Sequence, residues 1–298
     1  MIPLLEKLPD FSLAEESARY GNIPFGALAN VAALHRKIAA SDVLSALTVE
    51  CLNAMAVKKG NADGGKSFFS PVELECFRVL LVLLSFDAAK YNFLAAGYPE
   101  ELFYETWSDL GHWGKHYLDA IGDLRFPAKI FNWFRLHVAG EIVQLGRLQF
   151  QMPDFCRFDA DLSPFVAPGD PIVQCHIYEG APLDFDACKE SFRRLVRFMK
   201  CYRPDHDYRA IVSDSWLFDP ALEALLPKGS NIMRFRSLGK IVPSEIPADT
   251  LWRVFGEKGP ENTKNPTAFQ KKVLDHLAGG GVFRYGFFVM PREDAEKL

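Results

Sequence analysis

Apolar residues recur at helical spacing through the first half of the chain. Up to about Ala139 no segment shows the sustained alternation of a strand, so the pattern predicts an all-helical half. The clearest helix begins at "SPVE", where Ser70 is an N-cap, Pro71 takes the first helical position and Glu73 closes a capping box, and it continues to Gly97. Further helices are predicted over residues 24–37, 41–58, 99–110, 113–121 and 127–139.

The pattern changes from Glu141 onward. In "LGRLQFQM", residues 145–152, apolar and polar positions alternate, which predicts a half-buried strand. Further strands are predicted over residues 172–178, 210–218, 231–242 and 282–290. Helical patterns separate them: a stripe from Cys188 to Met199 with Asp184 as N-cap, then shorter helices over 220–226, 249–255 and 267–277. We therefore expect an α+β protein with a helical domain at residues 1–139 and a mixed α/β domain at residues 140–298.

Composition excludes several classes of protein. A chain of 298 residues with 49% hydrophobic residues can fill its cores without cross-links. A formal net charge of −4 gives no general attraction to nucleic acid. The six cysteines form no C-x-x-C pair and are typical of small core residues in a reducing compartment. Residues 1–10 lack a secretory signal pattern, and the most apolar window, residues 79–86, is too short to span a membrane. We expect a cytoplasmic protein without nucleic-acid or membrane partners.

Two histidines four residues apart are a candidate metal pair. His112 and His116 in "HWGKH" would lie on one helix face. However, the sequence lacks an intervening glutamate base, and the neighbours Trp113 and Tyr117 favour packing. No metal is expected.

Polar residues at strand ends are the main candidates for catalysis. Asp214 and Ser215 in "SDSW" could line a ligand crevice, or could make a cross-strand hydrogen bond or a helix cap. His176 and Glu179 could each take a proton from a nucleophile, although His176 also fits a satisfied core position. Arg234 and Arg236 could reach a phosphate or pair with surface carboxylates.

Several blocks of the second half carry a family resemblance. "LGRLQF" at 145–150, "HIYEGAPLDFDAC" at 176–188, "SWLFDPALEALLP" at 215–227, "SNIMRF" at 230–235 and "VLDHLAGGGVFRYG" at 273–286 resemble bacterial acyltransferase-like proteins. In that family a helical N-terminal domain precedes a domain shaped like the GNAT N-acyltransferases.

The resemblance implies a fold, a co-substrate and a site. GNAT enzymes splay their fourth and fifth strands to admit the pantetheine of acyl-CoA, and bind its pyrophosphate at the loop and helix start after the fourth strand. That junction would be residues 179–186 here, with Tyr178, Gly180, Ala181 and Leu183 binding the co-substrate. Glu179 or His176 would deprotonate a small amine acceptor, and a strand N–H would polarise the thioester. Asp214 and Ser215 would orient the acceptor or protonate the leaving thiolate.

The junction also departs from the GNAT pattern. "EGAPLDFD" holds one glycine, a proline and three acids where GNAT enzymes carry a basic, glycine-rich turn. An alternative is therefore a GNAT-shaped module that binds a small molecule or a protein partner without catalysis. The sequence leaves the oligomeric state open.

Overall fold

The computed structural model describes residues 4–156, 158 and 160–298. The chain divides into two compact units. The first contains the residues up to Gln144 together with Tyr178–Gly180, and the second contains Leu145–Ile177 and Ala181–Leu298.

The first unit is helical, as the sequence predicts. Its elements are α1 (Phe11–Tyr20), α2 (Ala29–Ala39), α3 (Asp42–Val57), α4 (Pro71–Leu84), α5 (Phe86–Ala95), α6 (Glu100–Trp107), α7 (Asp109–Ile121) and α8 (Ala128–Val138), followed by strand β1 (Ile142–Leu145). The centre of its core is α4, whose residues from Phe77 to Leu84 are all buried.

The capping box at the start of α4 is confirmed, but the predicted length of this helix is wrong. The Ser70 hydroxyl accepts a hydrogen bond from the Glu73 N–H, and the Glu73 carboxylate accepts one from the Ser70 N–H. At Ser85 the helix breaks, and α5 begins at the next residue. The Ser85 hydroxyl donates to the Leu81 carbonyl at 2.7 Å. Such bonds from serine to the preceding turn bend helices.

The second unit is built on a mixed sheet. Its elements are β2 (Leu148–Phe155), β3 (Pro171–His176), α9 (Phe185–Tyr202), β4 (Ala210–Ser215), α10 (Leu222–Leu225), α11 (Asn231–Arg236), β5 (Lys240–Pro247), α12 (Thr250–Phe255), α13 (Ala268–Ala278), β6 (Arg284–Pro291) and α14 (Arg292–Ala295). The strand order of the six-stranded sheet is β1-β2-β3-β4-β6-β5. β3 and β4 are parallel, whereas the β2–β3, β4–β6 and β5–β6 pairs are antiparallel. The predicted α+β fold is thus confirmed.

The two faces of this sheet have different covers. On one face α9 packs through Phe192, whose ring lies 6.1 Å from both Phe150 of β2 and Phe288 of β6. On the other face Ile172, Ala210 and Val212 join a buried apolar cluster with residues of the loop that precedes β3. Successive residues of a strand point to opposite faces, so Gln174, His176 and Asp214 extend this second face toward the strand ends.

The strand predicted over residues 231–242 is wrong in its first half. Asn231–Arg236 is a helix, and the strand β5 begins only at Lys240. Ser230 caps the helix, because its hydroxyl accepts a hydrogen bond from the Met233 N–H at 3.3 Å. The alternation of arginines with apolar residues in this segment therefore did not indicate a strand.

Within the described part of the chain, no single helix has the length and hydropathy to cross a membrane. One pair, residues 25–39 and 42–57, passes by length and composition, but it is bent by 116° at its break.

Candidate functional site

The parallel strands β3 and β4 pair over only part of their length. Their register joins Ile172 to Ala210 and ends at Gln174 and Val212. Each strand continues beyond this point on its other side: β3 pairs with β2 up to His176, and β4 pairs with β6 up to Ser215. Both strands remain extended where their mutual ladder stops. Past this point the backbone groups of β3 and β4 do not pair with each other, and such groups can pair with a ligand.

A side-chain hydrogen bond joins β3 and β4 at the point where their backbone ladder ends. The Gln174 amide donates to the Asp214 carboxylate at 2.9 Å, so one hydrogen bond joins β3 to β4 just beyond the last backbone pair. Asp214 is exposed. The structure thus brings together Gln174 and Asp214 on one face, and it makes the cross-strand hydrogen bond that the sequence left as an alternative.

His176 is the next residue of β3 on the same face. Its Nε2 lies 3.3 Å from the Oε1 of Gln151 on β2. Burial lowers the pKa of His176 from 6.5 to about 4, because the interior disfavours the imidazolium. At neutral pH the ring is therefore uncharged. Gln151 was not among the sequence candidates, although it lies in the alternating stretch that predicted β2.

Ser215 has a local structural role. Its hydroxyl accepts a hydrogen bond from the Leu217 N–H at 3.2 Å and caps the 3-10 turn Trp216–Phe218. The predicted strand over residues 210–218 therefore ends three residues early. Strand alternation places Ser215 on the face opposite to Asp214.

The loop that leads into α9 is held by a buried arginine. The Arg147 guanidinium donates to the carbonyl oxygens of Ala181 and Pro182, both at 2.8 Å. Leu183 is buried, and the Asp184 carboxylate caps α9 by accepting the Ala187 N–H at 2.8 Å. The capping role predicted for Asp184 is confirmed. Arg147 was not predicted, because nothing in the sequence relates it to a loop more than thirty residues away.

Two cations flank the first residue of α9. The guanidinium carbon of Arg234 lies 4.3 Å from the centre of the Phe185 ring, and the Lys189 ammonium lies 5.6 Å from it. Among the residues that the structure describes, neither cation forms a salt bridge. Both can therefore meet an anion. Arg236, in contrast, is buried and donates to the carbonyls of Leu217 and Asp219.

Three of the predicted site residues belong to the first unit, where they pack on α7. The Tyr178 ring stacks on His112 at 4.6 Å, and Glu179 Oε1 lies 2.8 Å from His116 Nδ1. Gly180 has φ +90°, and a Cβ there would lie 3.2 Å from His112 Nδ1, so glycine suits the position. The two histidines do share a helix face, as their spacing predicted, and they use it to hold this segment.

The predicted site residues therefore form separate groups. Asp214 and His176 lie on one face of the sheet, Ser215 lies on the other, and Ala181 and Leu183 precede α9. Tyr178, Glu179 and Gly180 belong to the first unit and pack against His112 and His116 of α7. Over the described ranges, no three His, Cys, Asp or Glu side chains are grouped to hold a metal ion. A groove of about 1210 Å³ between the N-terminal segment, α2 and α3 is lined by none of the predicted residues.

The comparison with protein families gives a match in the second half of the chain. Residues 142–288 match the family described as the GNAT-like C-terminal domain. A search of curated proteins gave no significant match.

Solved structures extend the likeness over nearly the whole chain. A crystal structure of an acyltransferase in complex with decanoyl-CoA and teicoplanin is similar at TM-score 0.73 and 22% identity, covering 97% of this chain and 90% of that one. A second, of an acyltransferase with CoA and 10C-teicoplanin, has TM-score 0.73 at 21% identity and covers 95% and 89%. A third, with decanoyl-CoA, has TM-score 0.65 at 22% identity and covers 92% and 98%. At these identities the likeness is one of fold.

Proposed function

We propose that the protein is an acyl-CoA-dependent N-acyltransferase acting on a small-molecule amine in the cytoplasm, on the premise that residues 142–288 match the family described as the GNAT-like C-terminal domain. The observation that carries the proposal is the end of the β3–β4 backbone ladder after Gln174 and Val212, where we propose that the two strands part. Pantetheine contains two amides, and it can bind along such a gap as an additional strand would. The similar folds of acyltransferases crystallised with decanoyl-CoA and teicoplanin, and with CoA and 10C-teicoplanin, support the same reaction class.

The phosphates of CoA would bind near the start of α9. Asp184 already occupies one N–H group of the first turn, and Asp186 adds a second negative charge there. We therefore assign the phosphate contacts mainly to Arg234 and Lys189, the two cations on Phe185. They would replace the basic, glycine-rich turn that the sequence lacks. Tyr178, Gly180, Ala181 and Leu183 would contact the pantetheine arm.

In the proposed reaction the amine nitrogen attacks the carbonyl carbon of the thioester. The new C–N bond forms, the C–S bond breaks, and CoA leaves as a thiolate that takes up a proton. A backbone N–H along the β3–β4 gap would polarise the thioester oxygen. Glu179 would remove the proton of the amine, directly or through water. Burial disfavours the charged form of His176, so this residue is the weaker base of the two. Asp214 would orient the cationic acceptor. Ser215 faces the opposite side of the sheet, so the leaving thiolate would take its proton from water.

Ligand binding and turnover test this function. Decanoyl-CoA, acetyl-CoA and CoA are titrated by calorimetry and thermal shift, and release of the CoA thiol is followed with a panel of amines. Ligand at a hundredfold excess over Kd should stabilise the protein by about 2.7 kcal/mol. Arg234→Ala should weaken acyl-CoA binding about tenfold through loss of one charge-assisted phosphate contact. Arg197→Ala, on an exposed ion pair of the same unit, is the control and should leave affinity unchanged.

A second function is favoured by the acids at the start of α9. Asp184 and Asp186 repel an anionic ligand, which suits a GNAT-shaped module that binds a small molecule or a protein without catalysis. Absence of any thermal shift with millimolar acyl-CoA and CoA would contradict the acyltransferase and favour this module.

A further inference from the structure

Helix α7 presents two histidines, one turn apart, to the segment Tyr178–Gly180. His112 stacks on the Tyr178 ring at an interplanar angle of 24°, and it also borders Gly180. His116 contacts the Glu179 carboxylate through Nδ1 at 2.8 Å. Each residue of this three-residue segment is therefore in contact with one face of one helix.

The His116 ring is itself fixed by packing. Its side chain is only 14% exposed, whereas that of Glu179 is 41% exposed. The centre of the His116 ring lies 5.8 Å from that of Trp113 and 5.0 Å from that of Tyr117, and both ring pairs have T-shaped geometry. A ring held in this way can direct its N–H without further loss of conformational entropy. The carboxylate that it holds still reaches the surface.

We infer that His116 is a positioning residue for Glu179: its Nδ1–H donates to Glu179 Oε1 and holds the carboxylate in one orientation toward the acceptor amine. This inference rests on the proposed function. A partly exposed glutamate otherwise distributes among several rotamers, and general bases act efficiently only when they are held at the correct distance.

The two histidines have different tasks in this arrangement. His112 supports the chain of the segment through the Tyr178 ring and through the close fit at Gly180. His116 contacts the carboxylate of Glu179. Loss of His116 should therefore lower the rate of acyl transfer while binding of acyl-CoA persists.

A double-mutant cycle tests whether His116 acts through Glu179. The kcat and KM values for acyl-CoA and amine are measured for the wild type, Glu179→Gln, His116→Phe and the double variant. Loss of a general base lowers kcat by about 100-fold, so we expect that for Glu179→Gln. His116→Phe should lower kcat about tenfold with KM for acyl-CoA unchanged, and the double variant should be no slower than Glu179→Gln. His116→Gln, whose amide can donate to the carboxylate, should recover most of the activity.

Two controls keep the test decisive. Lys115→Ala removes a residue of the same helix that pairs with the exposed Asp119, and it should leave kcat unchanged. Hydrogen exchange of the backbone amides of Tyr178–Gly180 should be faster in His116→Phe than in Lys115→Ala, because the phenyl ring keeps the packing but cannot hold Glu179.

The outcomes separate this inference from the proposed function. Losses that multiply in the double variant, or exchange that is the same in both variants, would overturn the positioning role. If the two variants show the expected exchange difference but the wild-type protein transfers no acyl group, the proposed function is contradicted and the His116–Glu179 contact is still supported.

Discussion

Acidification should destabilise this protein through His176. Burial lowers the pKa of His176 from 6.5 to about 4 in the folded chain, whereas the unfolded chain keeps the ordinary value. Above pH 6.5 the ring is neutral in both states, so it contributes no pH dependence. Between pH 6.5 and pH 4 only the unfolded state takes up the proton, and the free energy of unfolding falls as pH falls.

The size of this effect follows from the two pKa values. At 1.36 kcal/mol per pH unit the full displacement is worth about 3 kcal/mol, and linkage gives about 1.4 kcal/mol at pH 5.5 and about 2.5 kcal/mol at pH 4.5. Other groups titrate in the same range. The comparison therefore uses His176→Gln, which retains a polar side chain beside Gln151 but has no proton to gain.

Urea denaturation of both proteins at pH 7, 5.5 and 4.5 measures the effect. The difference in free energy of unfolding between wild type and His176→Gln should shift against the wild type by about 2.5 kcal/mol from pH 7 to pH 4.5. A difference that is constant over this range would refute the burial argument. With this pKa, titration of His176 should cause no fall of kcat/KM near pH 6.5. If kcat/KM of the wild type does fall below pH 6.5, and this fall is absent in His176→Gln, the base is His176.

Two further predictions concern the loop before α9. Arg147→Met should lower the free energy of unfolding by about 2 to 3 kcal/mol, because it removes two hydrogen bonds from a buried guanidinium to loop carbonyls. Thermal unfolding measures this loss, with Arg197→Ala as the control, since loss of that exposed ion pair should cost under about 0.5 kcal/mol. Equal losses in the two variants would contradict the prediction. Asp184→Asn should keep the cap of α9 and change the free energy of unfolding by no more than about 1 kcal/mol, because asparagine also caps helices. It should raise the affinity for acyl-CoA severalfold, because it removes a negative charge from the helix start. Calorimetry with decanoyl-CoA measures this affinity, and an unchanged affinity would mean that phosphate does not bind near Asp184.

The helical half was predictable where local chemistry defines the ends of a helix. Ser41 and Ser70 both accept an N–H of the first turn, as capping serines do. The break at Ser85 was not predictable, because no glycine or proline marks it and the bond from Ser85 to Leu81 forms in many helices without breaking them. Helix α1 was also missed, although Asp10 caps it.

The error at residues 231–242 has a local cause. Arg234 and Arg236 alternate with apolar neighbours, which fits a strand, but Ile232 and Phe235 also fit one turn of a helix. The cap at Ser230 decides in favour of the helix. When a short segment fits both the helical and the strand period, its cap and its packing determine which structure forms. Here the helix fully buries Phe235.

The segment Tyr178–Gly180 shows what sequence spacing can and cannot give. The spacing of His112 and His116 correctly placed two rings on one face of a helix. It could not show what they contact, because Glu179 lies 63 residues from His116 in the chain. A pair of histidines at this spacing can bind a metal, a carboxylate or an aromatic ring, and only the tertiary fold selects among them.

The parting of β3 and β4 was signalled by polarity but not by any residue that causes it. The sequences of parallel strands inside a sheet are normally uninterrupted apolar runs, because both faces of the sheet are covered. Here the runs end in Gln174 and His176 on β3 and in Asp214 on β4, so the sequence correctly located the polar edge of the sheet. Whether two strands remain paired depends on the backbone, and here each strand follows its antiparallel neighbour, β2 or β6, past the last shared pair. The point at which the β3–β4 ladder ends is thus a property of four strands together, which the residues of a single strand do not determine.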